Sequence, residues 1–314
     1  MPIHRDVWLS LINREYITSF IPEGGGATRF VVADDDASMS HLSAALRSMA
    51  QQAGLSVVAI DTAETKLHML QFVFFAVVRA LDWDALLQRR LERLVLEAGY
   101  GWPEPGASVT LAALADHNQV APAILRTRVQ QQITSSVWRN PRLAQDFRNA
   151  VTALLDARLT GDQDELQAAV LGWLRGDPGA LSRVKGAQIG ARIGRHNARA
   201  MLVSLCHWLR TCGPRGLVIM LDIRRLLRDR REVADGIAYT PAAVMDCYEV
   251  IRQVIDDAEH LEGLFLAVLA DARLINDEVP KRALSQYAAL KMRVWDDVRP
   301  QGRDNPLSPL VVAQ

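Results

Sequence analysis

The sequence predicts an α/β protein: a parallel sheet flanked by helices, with a large α-helical insertion. Three features lead there. Residues 28–33 and 56–61 read as apolar, β-branched strands with a helical stretch between them, and that order makes a βαβ unit with parallel strands. Strand signals return at 216–221 and 263–270, with a weaker one at 310–312. From about residue 66 to 193 the apolar period is helical throughout.

Taken in order, residues 7–21 space their apolar side chains as a helix and stop at Pro22. The run Gly24-Gly25-Gly26 is a turn with no side chains to pack. The strand at 28–33 runs into a polar loop at 34–38, and a helix is expected from Met39 to about Ala53, ending at Gly54. The helical block breaks at 99–106, at Pro122 and Pro141, and at 176–179. Further helices are expected at 197–211 and 241–258, and the turn-rich stretch 298–309 as a loop. This divides the chain into 1–83 (N-terminal helix and first half of the sheet), 84–194 (the insertion) and 195–314 (second half).

Composition removes several classes. The 314 residues are 49% hydrophobic and 23% charged, enough for a buried core and too apolar for a disordered chain. No apolar run approaches the roughly 20 residues that cross a bilayer, and the N-terminus lacks a signal-peptide core, so a cytoplasmic chain with no membrane partner is expected. The three cysteines, Cys206, Cys212 and Cys247, have neither zinc spacing nor an even disulfide set. Basic and acidic residues balance at 36 each, which argues against binding nucleic acid through bulk charge. All the basic residues except Lys66, Lys185, Lys281 and Lys291 are arginines, so a local arginine cluster carries less weight than usual.

A strand, a loop and a helix N-terminus at 28–41 have the layout of a phosphate-binding loop, which reads Gly, four residues, Gly, Lys, then Ser or Thr. In that register the chain reads Ala33, then Asp34, Asp35, Asp36 and Ala37, then Ser38, Met39 and Ser40, with His41 next. Only the hydroxyl of Ser40 survives. Without glycines the backbone cannot readily turn several N–H groups onto one anion, and Met39 stands where an ammonium would meet the phosphates. One aspartate about 4 Å from a phosphate oxygen opposes it by about 4 kcal/mol at an effective dielectric of 20. The plainer alternative is a solvated loop whose carboxylates suit the positive end of the next helix, with Ser38 or Asp36 as N-cap; a cation site made by the aspartates is the remaining one.

A second nucleotide element would be an apolar strand ending in Asp, for the magnesium shell, followed by a Glu that polarises water. Residues 216–221 and Asp222 supply the first part, but Ile223 follows and cannot accept a proton. Both halves of a hydrolytic site are thus altered within a preserved frame, and no catalytic residue or metal ligand set is expected.

These residues are similar to those of the BREX-system ATP-binding protein family, the BrxD-like P-loop proteins. The resemblance rests on the 16–21 segment followed by 24–32, on the Ser40-His41-Leu42 tail of the loop, on Asn197-Ala198 and Met201-Leu202, and on the Tyr287…Arg293 segment. It implies an AAA-like P-loop fold and a place in bacterial antiphage defence, with a large superfamily 2 helicase, another defence-operon protein or a TerB-like protein as partner, and indirect association with DNA. ATP and Mg2+ enter as cofactors only through it, and Arg293 would face the γ-phosphate as a sensor-like arginine. The departures at Ala33, Ser38, Met39 and Ile223 put ATP hydrolysis in doubt. An ion pair of Arg293 with the 34–36 aspartates is an equal alternative.

Arg224, Arg225, Arg228, Arg230 and Arg231 follow Asp222 in a run that reads as helical. They could contact DNA or an acidic partner, or serve a neighbouring subunit; a solvated helix balanced by Asp229, Glu232 and Asp235 is the plainer reading. The tryptophans are not spaced as a base-stacking array, though Trp is enriched at interfaces. A pseudo-ATPase subunit that docks on a partner is the function expected. Rivals are an ATP-binding ATPase that regulates or loads a helicase, using Ser40 and Asp222, and a DNA-binding module.

Overall fold

The computed structural model describes residues 3–33, 35–106, 109–161, 164–276, 281–295 and 305–314. Two compact units divide the chain, one made of Met1–Val77 with Pro214–Gln314 and one of Val78–Gly213. The chain enters the first unit through α1 (Arg5–Ile12) and a π-helical segment, Asn13–Phe20, and continues with β1 (Ala27–Ala33), α2 (Asp36–Gln52) and β2 (Ser56–Ile60). Helix α3 (Leu70–Ala80) leads into the second unit. There α4 (Trp83–Glu97), α5 (Leu111–His117), α6 (Pro122–Ile133), α7 (Gln145–Thr160), α8 (Asp164–Arg175), α9 (Ala180–Arg183) and α10 (Ala198–Thr211) follow, with no strand among its described residues. The first unit resumes with β3 (Leu217–Asp222), α11 (Arg224–Leu227), α12 (Pro241–Asp256), β4 (Leu264–Asp271), α13 (Ala288–Val294) and β5 (Leu310–Ala313).

All five strands are parallel, in the order β2-β3-β4-β1-β5. Central strands buried on both faces need continuous apolar runs, and β3 and β4 supply them: every residue but the terminal Asp222 and Asp271 is buried. Strand alternation splits β1. Val31 and Ala33 join Met220, Phe265 and Leu269 in a core closed by Trp8, Ile12 and Ile17 and by Met39, Leu42 and Leu46 of α2. Helix α12 packs on β1 and carries α13.

Because the strands are parallel, their C-terminal ends share one edge of the sheet. Ala33 lies beside Asp271, and Asp222 beside Leu269. The connection leaving β1 runs to β2, while the chain leaving β4 goes on to β5 on the opposite side of β1. Neighbouring strands whose connections diverge leave a crevice at their carboxyl ends, where open α/β sheets bind ligands.

The second unit holds its own apolar core. Trp83 stacks on Trp208 with centroids 5.1 Å apart, and Phe147 meets the Trp208 ring edge-on. Among the described residues no helix is long and apolar enough to cross a membrane.

Candidate functional site: the carboxyl edge of β1, β4 and β3

The connection from β1 to α2 is short. Strand β1 ends at the buried Ala33 and α2 begins at Asp36, so only residues 34 and 35 lie between; Asp34 falls outside the described residues. Asp35 is the N-cap, its carboxylate accepting the Ser38 N–H at 2.6 Å while its carbonyl accepts the Met39 N–H. The expectation that Ser38 or Asp36 caps this helix is corrected: the helix starts three residues earlier than the apolar period alone places it. The hydrogen bond from the Ser38 N–H, first among several, holds the Asp35 carboxyl below the usual carboxylate range.

Winding 36–40 into the first turns of α2 fixes the remaining side chains. Ala37 is exposed, and Met39 is buried at 2% exposure within the core that α1 and α2 share. The hydroxyl of Ser40 donates back to the Asp36 carbonyl at 2.8 Å. His41 lies 3.5 Å from the Asp6 carboxylate of α1.

At the end of β3, Asp222 meets Arg224. The Arg224 Nε donates to both carboxylate oxygens at 3.0 Å and Nη2 reaches Oδ2 at 2.5 Å. The Arg224 Nη1 donates to Asp36. One guanidinium therefore spans the edge of the sheet between the first residue of α2 and the last of β3. The hydrogen bond to Asp222, followed by the charges of Asp222, Asp36 and Asp271, pushes the Arg224 pKa further up. Ile223 is fully buried and its N–H donates to the Leu269 carbonyl, so it ties β3 to β4.

The arginines after Asp222 do not form one helix. Helix α11 is a single turn, Arg224–Leu227, and Arg228 is extended before a 3-10 turn at Arg230–Glu232. Asp229 caps that turn by accepting the Arg231 N–H, which a long helix would not permit. Arg225 donates to the Ile237 carbonyl at 2.8 Å and lies 3.7 Å from Asp235. Arg228, Arg230 and Arg231 are exposed. Arg224, Arg225 and Arg228 share a small cleft of about 180 Å³ with Asp61, Thr62 and Asp222.

Arg293 lies elsewhere. Its guanidinium pairs with Asp256 at the end of α12, and it lines a cleft with Gly26, Ala27 and Arg29 at the start of β1. Seven residues of β1 at roughly 3.3 Å each separate that end from Ala33. An ion pair of Arg293 with Asp35 or Asp36 is therefore not formed. The acid it meets is on α12, because α13 packs there. Tyr287, from the same segment, donates to Glu249 at 2.5 Å, and Arg252 grips Glu249 through two nitrogens at 2.6 Å each.

Asp271 went unread in the sequence. It ends β4 next to Ala33, accepts the Arg273 N–H at 3.0 Å and adds its charge to the edge. The signal was present: it follows an apolar run just as Asp222 does. Asp35 as cap had no such signal, since three adjacent aspartates offer the same chemistry. Among the described residues no group of three or more His, Cys, Asp or Glu is placed to hold a metal ion.

A parallel α/β sheet of this order, with its strand-end aspartate and N-terminal helix edge, is the framework of a P-loop NTPase-like protein. The family model for BREX system ATP-binding protein BrxC/D matches residues 18–313, and the chain belongs to that family. Membership supports a role in a BREX defence system alongside other BREX proteins. Searches of curated proteins and of solved structures returned no match.

Proposed function

We propose that this chain is a BREX subunit that keeps the nucleotide-binding sheet as a scaffold, does not turn over ATP, and docks on a partner such as a large superfamily 2 helicase. The observation that carries this is the Arg224 bridge between Asp222 and Asp36. In a working site the strand-end carboxylate faces a magnesium ion held against phosphate. Here a side chain of the same molecule supplies positive charge to that carboxylate. The residues at 33–41 do not fit a triphosphate: the connection is too short to wrap an anion, Asp35 takes the Ser38 N–H that would face it, and Met39 is turned into the core. Asp222 then serves as an anchor for Arg224, and the sheet presents surfaces for other BREX proteins.

Family membership favours one other reading, in which ATP and Mg2+ bind by an altered route through Ser40 and Asp222. Direct DNA contact through Arg228, Arg230 and Arg231 has no comparable support. Steady-state phosphate release, assayed alone and after co-purification with the other proteins of the same BREX system, separates the readings. A scaffold co-purifies stably and releases no phosphate above buffer. Release that is abolished by Asp222→Ala would overturn the proposal.

A further inference from the structure

The opposite end of β1 holds a cleft of about 460 Å³, within the about 300–1,000 Å³ range of ligand pockets. It lies a strand length from the Arg224 bridge and does not depend on how that end is read. One wall is aromatic. Tyr16 and Phe20, both from the π-helical segment, meet edge to face with centroids 6.0 Å apart, and Phe20 is 44% exposed despite its apolar ring. Short π-helical stretches often mark functional sites; this one presents both rings to the same cleft.

Among the described residues the charges in the cleft do not cancel. Glu15 is taken by Arg14 at 2.7 Å, and Arg293 by Asp256. Arg29 is left over. Its guanidinium carbon lies 4.4 Å from the Tyr16 ring centre, its Nη2 bonds the Tyr16 hydroxyl, and its Nη1 donates to the Thr28 carbonyl at 2.7 Å. Every acceptor it has is neutral. Its Nε is buried with no hydrogen-bond partner, and no carboxylate pairs with it among the described residues. A half-buried cation without a counter-ion is costly to hold, and a positioned guanidinium is suited to a carboxylate.

The backbone adds polar groups. The Phe30 N–H donates to the Pro309 carbonyl on the β5 side of β1, and strand alternation turns the Thr28 N–H to that same side, below the first residue of β5. Aromatic and arginine side chains at one spot are the composition of an interface centre.

The geometry points to this cleft as a docking pocket for a partner peptide that presents a carboxylate beside an aromatic or other apolar side chain, with Arg29 taking the carboxylate and Tyr16 and Phe20 taking the apolar part. The probe is N-acetylphenylalanine, which carries both groups, compared with its neutral amide and with inorganic phosphate in ligand-observed NMR on the full chain. The acid is expected to bind at least about tenfold more tightly than the amide, the effect of one charge-assisted hydrogen bond. Arg29→Met should erase that preference, and Phe20→Ala should weaken acid and amide alike. If Arg29→Met fails to fold, the acid-to-amide ratio in wild type and the Phe20→Ala loss still decide. Equal binding of acid and amide, no binding of either, or phosphate competing as well as the acid would overturn the proposal.

Discussion

Asp222 and Arg224, two residues apart, form a bidentate pair at the end of β3, and the same guanidinium continues to Asp36 on α2. The Asp222 carboxylate is thereby linked through one guanidinium to the first residue of α2. Arg224 is largely shielded, its side chain 22% exposed, while the Asp36 side chain is 87% exposed, so the two ends of the bridge are unequal. The Asp222 half is bidentate and half-buried, the Asp222 side chain being 36% exposed; the Asp36 half is a surface ion pair worth little by itself.

Arg224→Met should lower stability by about 1–2 kcal/mol, mostly through the unpaired Asp222. The melting temperature would fall by several degrees, since about 1 kcal/mol corresponds to about 2–4 °C for a domain of this size. Asp36→Ala should cost much less. Equal losses, or none, would show that the bridge is not formed in solution.

Placing a lysine at position 39 recreates the residue type a phosphate loop needs, yet Met39 lies in the core with Leu42 and Leu46. Met39→Lys should therefore destabilise the protein by about 3 kcal/mol or more, because an ammonium would be buried among apolar groups. It should create no ATP affinity, as thermal melts with and without ATP would show. A stable Met39→Lys variant that binds ATP would mean that this helix turn rearranges.

The pair of helices α12 and α13 should carry an acid-sensitive lock. The Arg252 guanidinium, with Tyr287 and Gln253, lowers the Glu249 pKa from the ordinary 4.5 to about 2. A carboxylate whose folded-state pKa is depressed contributes its stability above the unfolded value and loses it as pH falls through the folded one. The lock is thus fully present above about pH 4.5 and lost on the way to about pH 2. Denaturant melts of wild type and Glu249→Gln should converge over that window. Parallel curves would contradict the assignment.

Arg293 gives a separate test, because it sits with Asp256 at the far end of β1. Arg293→Ala should cost no more than about 1 kcal/mol, the range of an exposed ion pair. It should leave any nucleotide response of the chain unchanged. A nucleotide affinity that falls with Arg293→Ala would place this residue in the site after all.

The sheet was legible because parallel strands buried on both faces leave unbroken apolar runs: 217–221 and 264–270 need no tertiary information to be read. The aspartate that closes β3 was legible for the same reason. What the sequence hid depends on a residue or two of register. Asp34, Asp35 and Asp36 have the same chemistry, and only the position of the helix start makes Asp35 a cap and Asp36 an ion-pair partner. The arginines at 224–231 have helical spacing, but Asp229 accepts a backbone N–H and Arg228 is extended, so local capping overrides the period. Arg224 reaching back 188 residues to Asp36 is a tertiary contact with no local signature.

The central claim, that an internal guanidinium has replaced the cation and phosphates at the carboxyl edge of β1 and β3, is met most directly by calorimetric titration of the intact chain with ATP and Mg2+. No binding heat up to millimolar nucleotide, with Arg224→Met equally silent, is the expected result. Micromolar binding that disappears in both Ser40→Ala and Asp222→Ala would contradict it.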